Sequence, residues 1–131
     1  MRPPCEVVSQ YLLPAFRSLV AKKLIKEYNF SQVETAKKLG TTQASISHYI
    51  YSKRGDKRMK QLESIPLIQS TVKEIARGIA TEKISHTDSI SIFCKLCATL
   101  RNQGVICNLH RDSLFSLPDV CRICLEILKA R

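Results

Sequence analysis

The chain has 131 residues, of which 44% are hydrophobic and 24% are charged, so it suits one domain or two small ones, and its composition argues against wholesale disorder. Its formal net charge of +10 favours a polyanionic partner. The excess lies in the N-terminal half: residues 1–60 hold 12 Lys or Arg against 4 Asp or Glu, and residues 61–131 hold 9 against 7.

No apolar run approaches the roughly 18 residues of a membrane span. The N-terminal residues MRPPCEVV lack the apolar core of a signal peptide. We therefore expect a cytoplasmic protein with no membrane partner, whose cysteines are mostly reduced.

The first predicted helix runs from Glu6 to about Tyr28, because apolar residues recur there at helical spacing. Pro14 lies inside this helix and should kink it or split it, since proline has no N–H to donate. Basic residues are expected on the face opposite the apolar stripe, namely Arg17, Lys22, Lys23 and Lys26.

Residues 31–49, SQVETAKKLGTTQASISHY, predict two short helices joined by a tight corner. Ser31 and Glu34 have the spacing of a capping box, and the first helix places Val33, Ala36 and Leu39 on one face.

Gly40 suits a left-handed corner, and Thr42 can cap the second helix. Ile46 and Ile50, four residues apart, then face inward. The order Ser-Gln, Ala, Gly and Thr-Gln-Ala-Ser-Ile-Ser resembles the phage-repressor-like (XRE-type) helix-turn-helix family. An ordinary pair of helices at a corner is the alternative.

The second helix has the makeup of a recognition helix. Gln43 is the best single candidate for recognising a base, because its amide can form two hydrogen bonds with adenine, and Ala44 can contact a thymine methyl. Ser45 and His48 are also expected to face base edges. By resemblance to phage repressors, Gln32 would brace Gln43 and touch a phosphate.

A basic loop follows this helix and is well placed to grip phosphates. Five of the nine residues from Ser52 to Lys60 are basic. We also expect one of Tyr49 and Tyr51 to lie in the core and the other to donate to a phosphate. The complete predicted DNA-binding set is Gln32, Thr42, Gln43, Ala44, Ser45, Ser47, His48, Lys53, Arg54, Lys57 and Arg58.

A third helical pattern covers residues 67–80, with Gly78 weakening its end. Its apolar stripe can pack on the N-terminal half or on a second copy. Because one recognition helix spans few base pairs, we expect a homodimer that reads two half-sites. Residues 81–89 are polar and read as a connector, with His86 exposed to solvent.

The C-terminal part contains two CxxC pairs, Cys94/Cys97 and Cys121/Cys124, separated by 23 residues. Two such pairs supply the four thiolates of a tetrahedral metal site. Cys107 is an additional candidate ligand, and the roles of Cys5 and His110 stay open. An iron–sulfur cluster is slightly favoured over zinc, because there is a surplus thiol and neither pair contains a Gly.

The layout of most of the chain resembles a group of small archaeal transcriptional regulators. The resemblance lies in Pro4-Cys5-Glu6, in residues 12–17, in the helix-turn-helix region up to Gly55, and in the cysteines from Cys94 to Cys124. It implies a DNA-binding regulator.

The sequence thus predicts an all-α protein, with a helix-turn-helix bundle at residues 1–64 and a linker helix plus cysteine-rich, metal-binding, dimerising domain at residues 65–131. The predicted function is a redox- or metal-responsive regulator bound to double-stranded DNA. A regulator with purely structural zinc and an RNA- or ribosome-associated zinc protein are the alternatives. We expect no enzyme and no small-molecule substrate, since a redox CxxC normally belongs to a βαβ context.

Overall fold

The computed structural model describes residues 3–51 and 57–108, and these residues form helices and no strand. The all-α prediction is therefore confirmed for this part of the chain. Its elements are α1 (Pro4–Val7), a π-helical turn (Val8–Leu12), α2 (Leu13–Tyr28), α3 (Gln32–Leu39), α4 (Gln43–Tyr51), α5 (Lys57–Glu63), α6 (Pro66–Ala80) and α7 (His86–Asn102). Cys121, Cys124, His110, Lys53 and Arg54 lie outside the described residues.

Pro14 was expected to kink or split the first helix, and the structure has a π turn just before it. Helical residues continue from Pro4 to Tyr28, and the N–H of Leu13 donates to the carbonyl of Val8, five residues earlier. Pro14 then occupies the first turn of α2, where its missing N–H removes no bond of the following ladder. The first helix is thus a continuous run with an internal change of hydrogen bonding.

The main core lies between α2, α6 and α7. Leu24 of α2, Ile68 and Ala76 of α6 and Leu100 of α7 are at most 1% exposed. Helix α6 agrees with its predicted range and buries one face, since its inward residues recur at three- and four-residue spacing. Described residues on both sides of the predicted 64/65 domain boundary share this core.

The connector after α6 is shorter than the sequence suggested. Helix α7 begins at His86, because Ser85 and Asp88 form a full capping box, in which the N–H of Asp88 donates to Ser85 Oγ over 3.1 Å. The N–H of Ser85 in turn donates to Asp88 Oδ2 over 2.8 Å. His86 is exposed, as predicted.

Gly78 lets this connector fold back closely on α6. Three side-chain carbons of Ile84 lie 2.8–2.9 Å from the position that a Cβ on Gly78 would take. The sequence indicated only that Gly78 weakens the helix, whereas the structure gives it a packing role. Across the described residues, no helix is both long and apolar enough to cross a membrane.

Candidate nucleic-acid interface

The first helix of the candidate interface, α3, starts and ends as its residues dictate. Ser31 Oγ accepts the N–H of Glu34 over 3.1 Å, which satisfies one of the free donors at the helix start. Gly40 ends α3 in the left-handed conformation, with φ 65°, and the N–H of Thr41 donates to the carbonyl of Ala36. We refer to residues 40–42 as the corner.

Helix α4 starts from the corner with Thr42 as its cap. Thr42 Oγ1 accepts the N–H of Ser45 over 3.2 Å, and the two hydroxyl oxygens of these residues are 3.0 Å apart. Ser45 is half-buried, and its N–H and hydroxyl are engaged in this cap; its contact with a base edge stays a prediction.

A small second core holds α3 and α4 against α2. It consists of Ala21, Ala36 and Ile46, all at most 5% exposed, and Tyr49 and Ile50 pack against it. Ile46 is fully buried, which fixes the rotation of α4 about its axis. Val33 departs from the sequence expectation, since it is 55% exposed and does not share the buried face of Ala36.

The rotation of α4 turns one continuous stripe outward. Residues four apart lie on the same side of a helix, so Gln43, Ser47 and Tyr51 form one line, beside Ala44 and His48. Gln43, Ala44 and His48 are exposed, Ser47 is half-buried, and Tyr51 is 71% exposed. Of the two tyrosines, Tyr49 is therefore the core residue and Tyr51 the outward one.

The two glutamines predicted to cooperate are joined directly. Gln43 Nε2 donates to Gln32 Oε1, linking the first residue of α4 to the first residue of α3. Because both glutamines begin their helices, this bond holds the two N-terminal ends together. It also fixes the orientation of the Gln43 amide at the front of the outward stripe.

Only some of the residues predicted to bind the DNA phosphate backbone lie within the described chain. Lys57 and Arg58 form the start of α5, just after the gap that contains Lys53 and Arg54. Outside the predicted set, Lys37 and Lys38 are exposed in the last turn of α3. The sequence signal for these two is only their charge, which a solvated helix surface would share.

The described cysteines do not by themselves complete a metal site. Cys94 and Cys97 occupy successive turns of α7, exposed and half-buried respectively, and Cys107 lies half-buried in the helical residues 105–108. No three His, Cys, Asp or Glu residues of the described ranges are grouped so as to hold a metal. The four-thiolate prediction depends on Cys121 and Cys124, outside those ranges.

The chain matches no family model, no curated protein and no solved structure.

Proposed function

We propose that this protein is a sequence-specific transcriptional regulator that binds double-stranded DNA with α4 as its recognition helix. The observation that supports this most is the Gln32–Gln43 hydrogen bond at the exposed front of α4. A bracing partner lowers the number of rotamers that Gln43 would lose on pairing with a base.

Three further features agree with a groove-reading helix. The outward stripe of α4 begins with the small or amide-bearing side chains of Gln43, Ala44 and Ser47, which can approach base edges closely. The basic excess of residues 1–60 lies in the same part of the chain. Ile46 and the corner hold α4 in one orientation against α2.

The cysteines extend the proposal to regulation. Cys94, Cys97, Cys121 and Cys124 would bind one iron–sulfur cluster or zinc ion, with Cys107 as a substitute ligand. Thiolates suit both groups. Cys94 and Cys97 fit this role because they are spaced one turn apart on α7 and at least partly accessible. The regulator would act in the cytoplasm, where these thiols stay reduced, and as a homodimer.

The test of DNA reading is selection from a randomised duplex library with the full chain, at a stated salt concentration. The expected result is a recurring motif with two half-sites about one helical turn, or a multiple of it, apart. Enrichment of no motif, together with higher affinity for structured RNA than for duplex DNA of the same length, would favour the RNA-associated alternative.

A further inference from the structure

A cavity of about 330 Å³ lies between α2, the end of α3 with the corner, α6 and α7. Its volume falls at the lower end of the range typical of small-molecule sites. Most of its wall is apolar and includes Phe16, Leu39, Ile75, Ile79, Ile90 and Phe93. Such a wall favours a ligand with a hydrocarbon body.

The ionisable groups that line this cavity are all basic. They are Arg17 of α2, Lys38 of α3 and His86 of α7, and no acidic residue of the described chain lines it. The closest carboxylate in sequence, Asp88, already accepts the N–H of Ser85 over 2.8 Å. The cavity therefore combines an apolar wall with the positive charges of Arg17 and Lys38, and its described lining contains no carboxylate.

A second cavity of about 420 Å³ shares Lys38, Ile79, His86 and Ser89 with the first and adds Lys37. Lys38 therefore borders both cavities, and a ligand head group can contact it while the ligand body enters the apolar part of the first cavity. Ile90, 58% exposed beside the apolar cavity, is one of the few large apolar side chains left open in the described residues. A hydrocarbon body would cover it.

We propose that this cavity binds a small amphipathic carboxylate, with its apolar body against Phe93, Ile79 and Ile90 and its carboxylate at Lys38 and Arg17. A neutral hydrocarbon would leave the basic groups without a partner. A small polar anion would leave the apolar wall unfilled. Both requirements are met by a medium-chain fatty acid or an arylalkanoic acid.

The ligand would contact the helix-turn-helix and also the helix that carries two of the proposed metal ligands. Lys38 and Leu39 end α3 and Gly40 begins the corner, while Ile90 and Phe93 belong to the helix that carries Cys94 and Cys97. If the protein reads DNA as proposed, occupancy should change operator affinity, because a ligand shifts any equilibrium whose two states it binds unequally. That consequence rests on the proposed function, whereas binding itself does not.

The test is calorimetric titration of the full chain with octanoate, with 1-octanol and acetate as controls for the head group and the body. Octanoate should bind about fivefold more tightly than 1-octanol, since partly exposed charge pairs add modestly to affinity, and acetate should not bind measurably. Amide NMR shifts should change at Gly40, Ile79 and Phe93. Absence of octanoate binding, or shifts confined to other residues, would overturn the proposal.

Two pairs of variants assign the site. Lys38→Ala should weaken octanoate about threefold and leave 1-octanol unchanged, whereas Lys73→Ala, an exposed lysine of α6 that lines no described cavity, should change neither. Ile90→Glu should weaken octanoate by at least about tenfold, whereas Val33→Glu, an equally exposed apolar position outside the cavity, should not. Equal effects within either pair would refute the assignment.

Operator affinity with and without octanoate is measured separately, so failure of DNA binding leaves the ligand result intact.

Discussion

His86 lies against Gly40, so that a Cβ on Gly40 would come within 3.2 Å of His86 Nε2. Gly40 forms the corner between α3 and α4, and His86 is the first residue of the helix that carries Cys94 and Cys97. The corner that precedes the proposed recognition helix therefore contacts the first residue of the proposed metal-binding helix at a glycine.

Gly40→Ala should destabilise the protein by about 1–2 kcal/mol, because its φ of 65° is unfavourable for a residue with a Cβ. Gly104→Ala is the matched control, since Gly104 has φ 81° and nothing within 4 Å of its Cβ position. Chemical denaturation measures both. Any unfolding free energy that Gly40→Ala loses beyond the loss in Gly104→Ala is assigned to the His86 contact if this excess disappears in a His86→Ala background. Identical losses for the two glycine variants would show that this contact costs nothing.

Gly78→Ala should destabilise by about 1–3 kcal/mol through overpacking, although helix propensity alone predicts a gain of about 1 kcal/mol. The reason is the 2.8–2.9 Å approach of Ile84 to the Cβ position. In an Ile84→Ala background the sign should reverse, because the clash is gone and the propensity gain is left. Thermal unfolding of the four variants decides this, and a stabilised Gly78→Ala single variant would contradict the packing argument.

Gln43→Ala should weaken binding to the selected operator by about 1–3 kcal/mol and relax base choice at one position. Lys57→Ala should instead weaken binding to operator and random DNA alike. It should also lower the slope of log affinity against log salt concentration by about one unit. Gln103→Ala, at an exposed glutamine after α7, is the control for amide removal. If Gln43→Ala reduces affinity equally for operator and random duplexes, the base-reading role is wrong.

Asp88 should make the start of α7 sensitive to acid. The N–H and hydroxyl of Ser85 donate to its carboxylate and hold its pKa below the usual value. A lowered pKa in the folded state means that this contribution is present above the unfolded pKa and is lost as the pH falls through the folded pKa. As the pH falls from about 6 to about 2, the Asp88→Asn variant should therefore lose less thermal stability than the wild type. Parallel curves of melting temperature against pH would argue against the capping contribution.

Removal of the proposed metal should unfold or loosen the C-terminal part, since four close thiolates repel one another without a cation. Metal analysis and an absorption spectrum of anaerobically purified protein distinguish a coloured cluster from zinc. Mild oxidation should lower operator affinity together with colour if the centre is a sensor. A colourless zinc protein with unchanged affinity would leave only the structural zinc, and Cys124→Ser with full metal occupancy and normal stability would exclude both.

Local signals in the sequence were sufficient for the caps of α3 and α4 and for the corner, whereas the Ser85–Asp88 capping box of α7 was missed. Ser31, Gly40 and Thr42 each act on backbone groups within three to five residues, so their roles follow from spacing alone. The Gln32–Gln43 bond was expected only from the resemblance to phage repressors. The exposure of Val33 was missed because a short helix offers several faces, and only the packing of Ala36 and Ile46 on Ala21 selects one.

Features formed by residues distant in the chain were beyond sequence reasoning. Arg17 appeared to be one of several solvated basic residues, yet it is half-buried and lines the cavity with Lys38 and His86. The role of Gly78 depends instead on how the connector folds back, which brings Ile84, six residues later in the chain, against it. The cavity leaves no periodic signal, because it joins elements whose relative placement is set by the shared core.

The π turn before Pro14 has a consequence for how relatives of this chain should align with it. Val7 and Leu12 are five positions apart and both fully buried, whereas five residues of a regular α-helix would point about 140° apart. The π turn absorbs one extra residue and restores the common direction. A homologue with a regular helix here should therefore lack one residue between positions 8 and 12, and the correct alignment should open a single gap there.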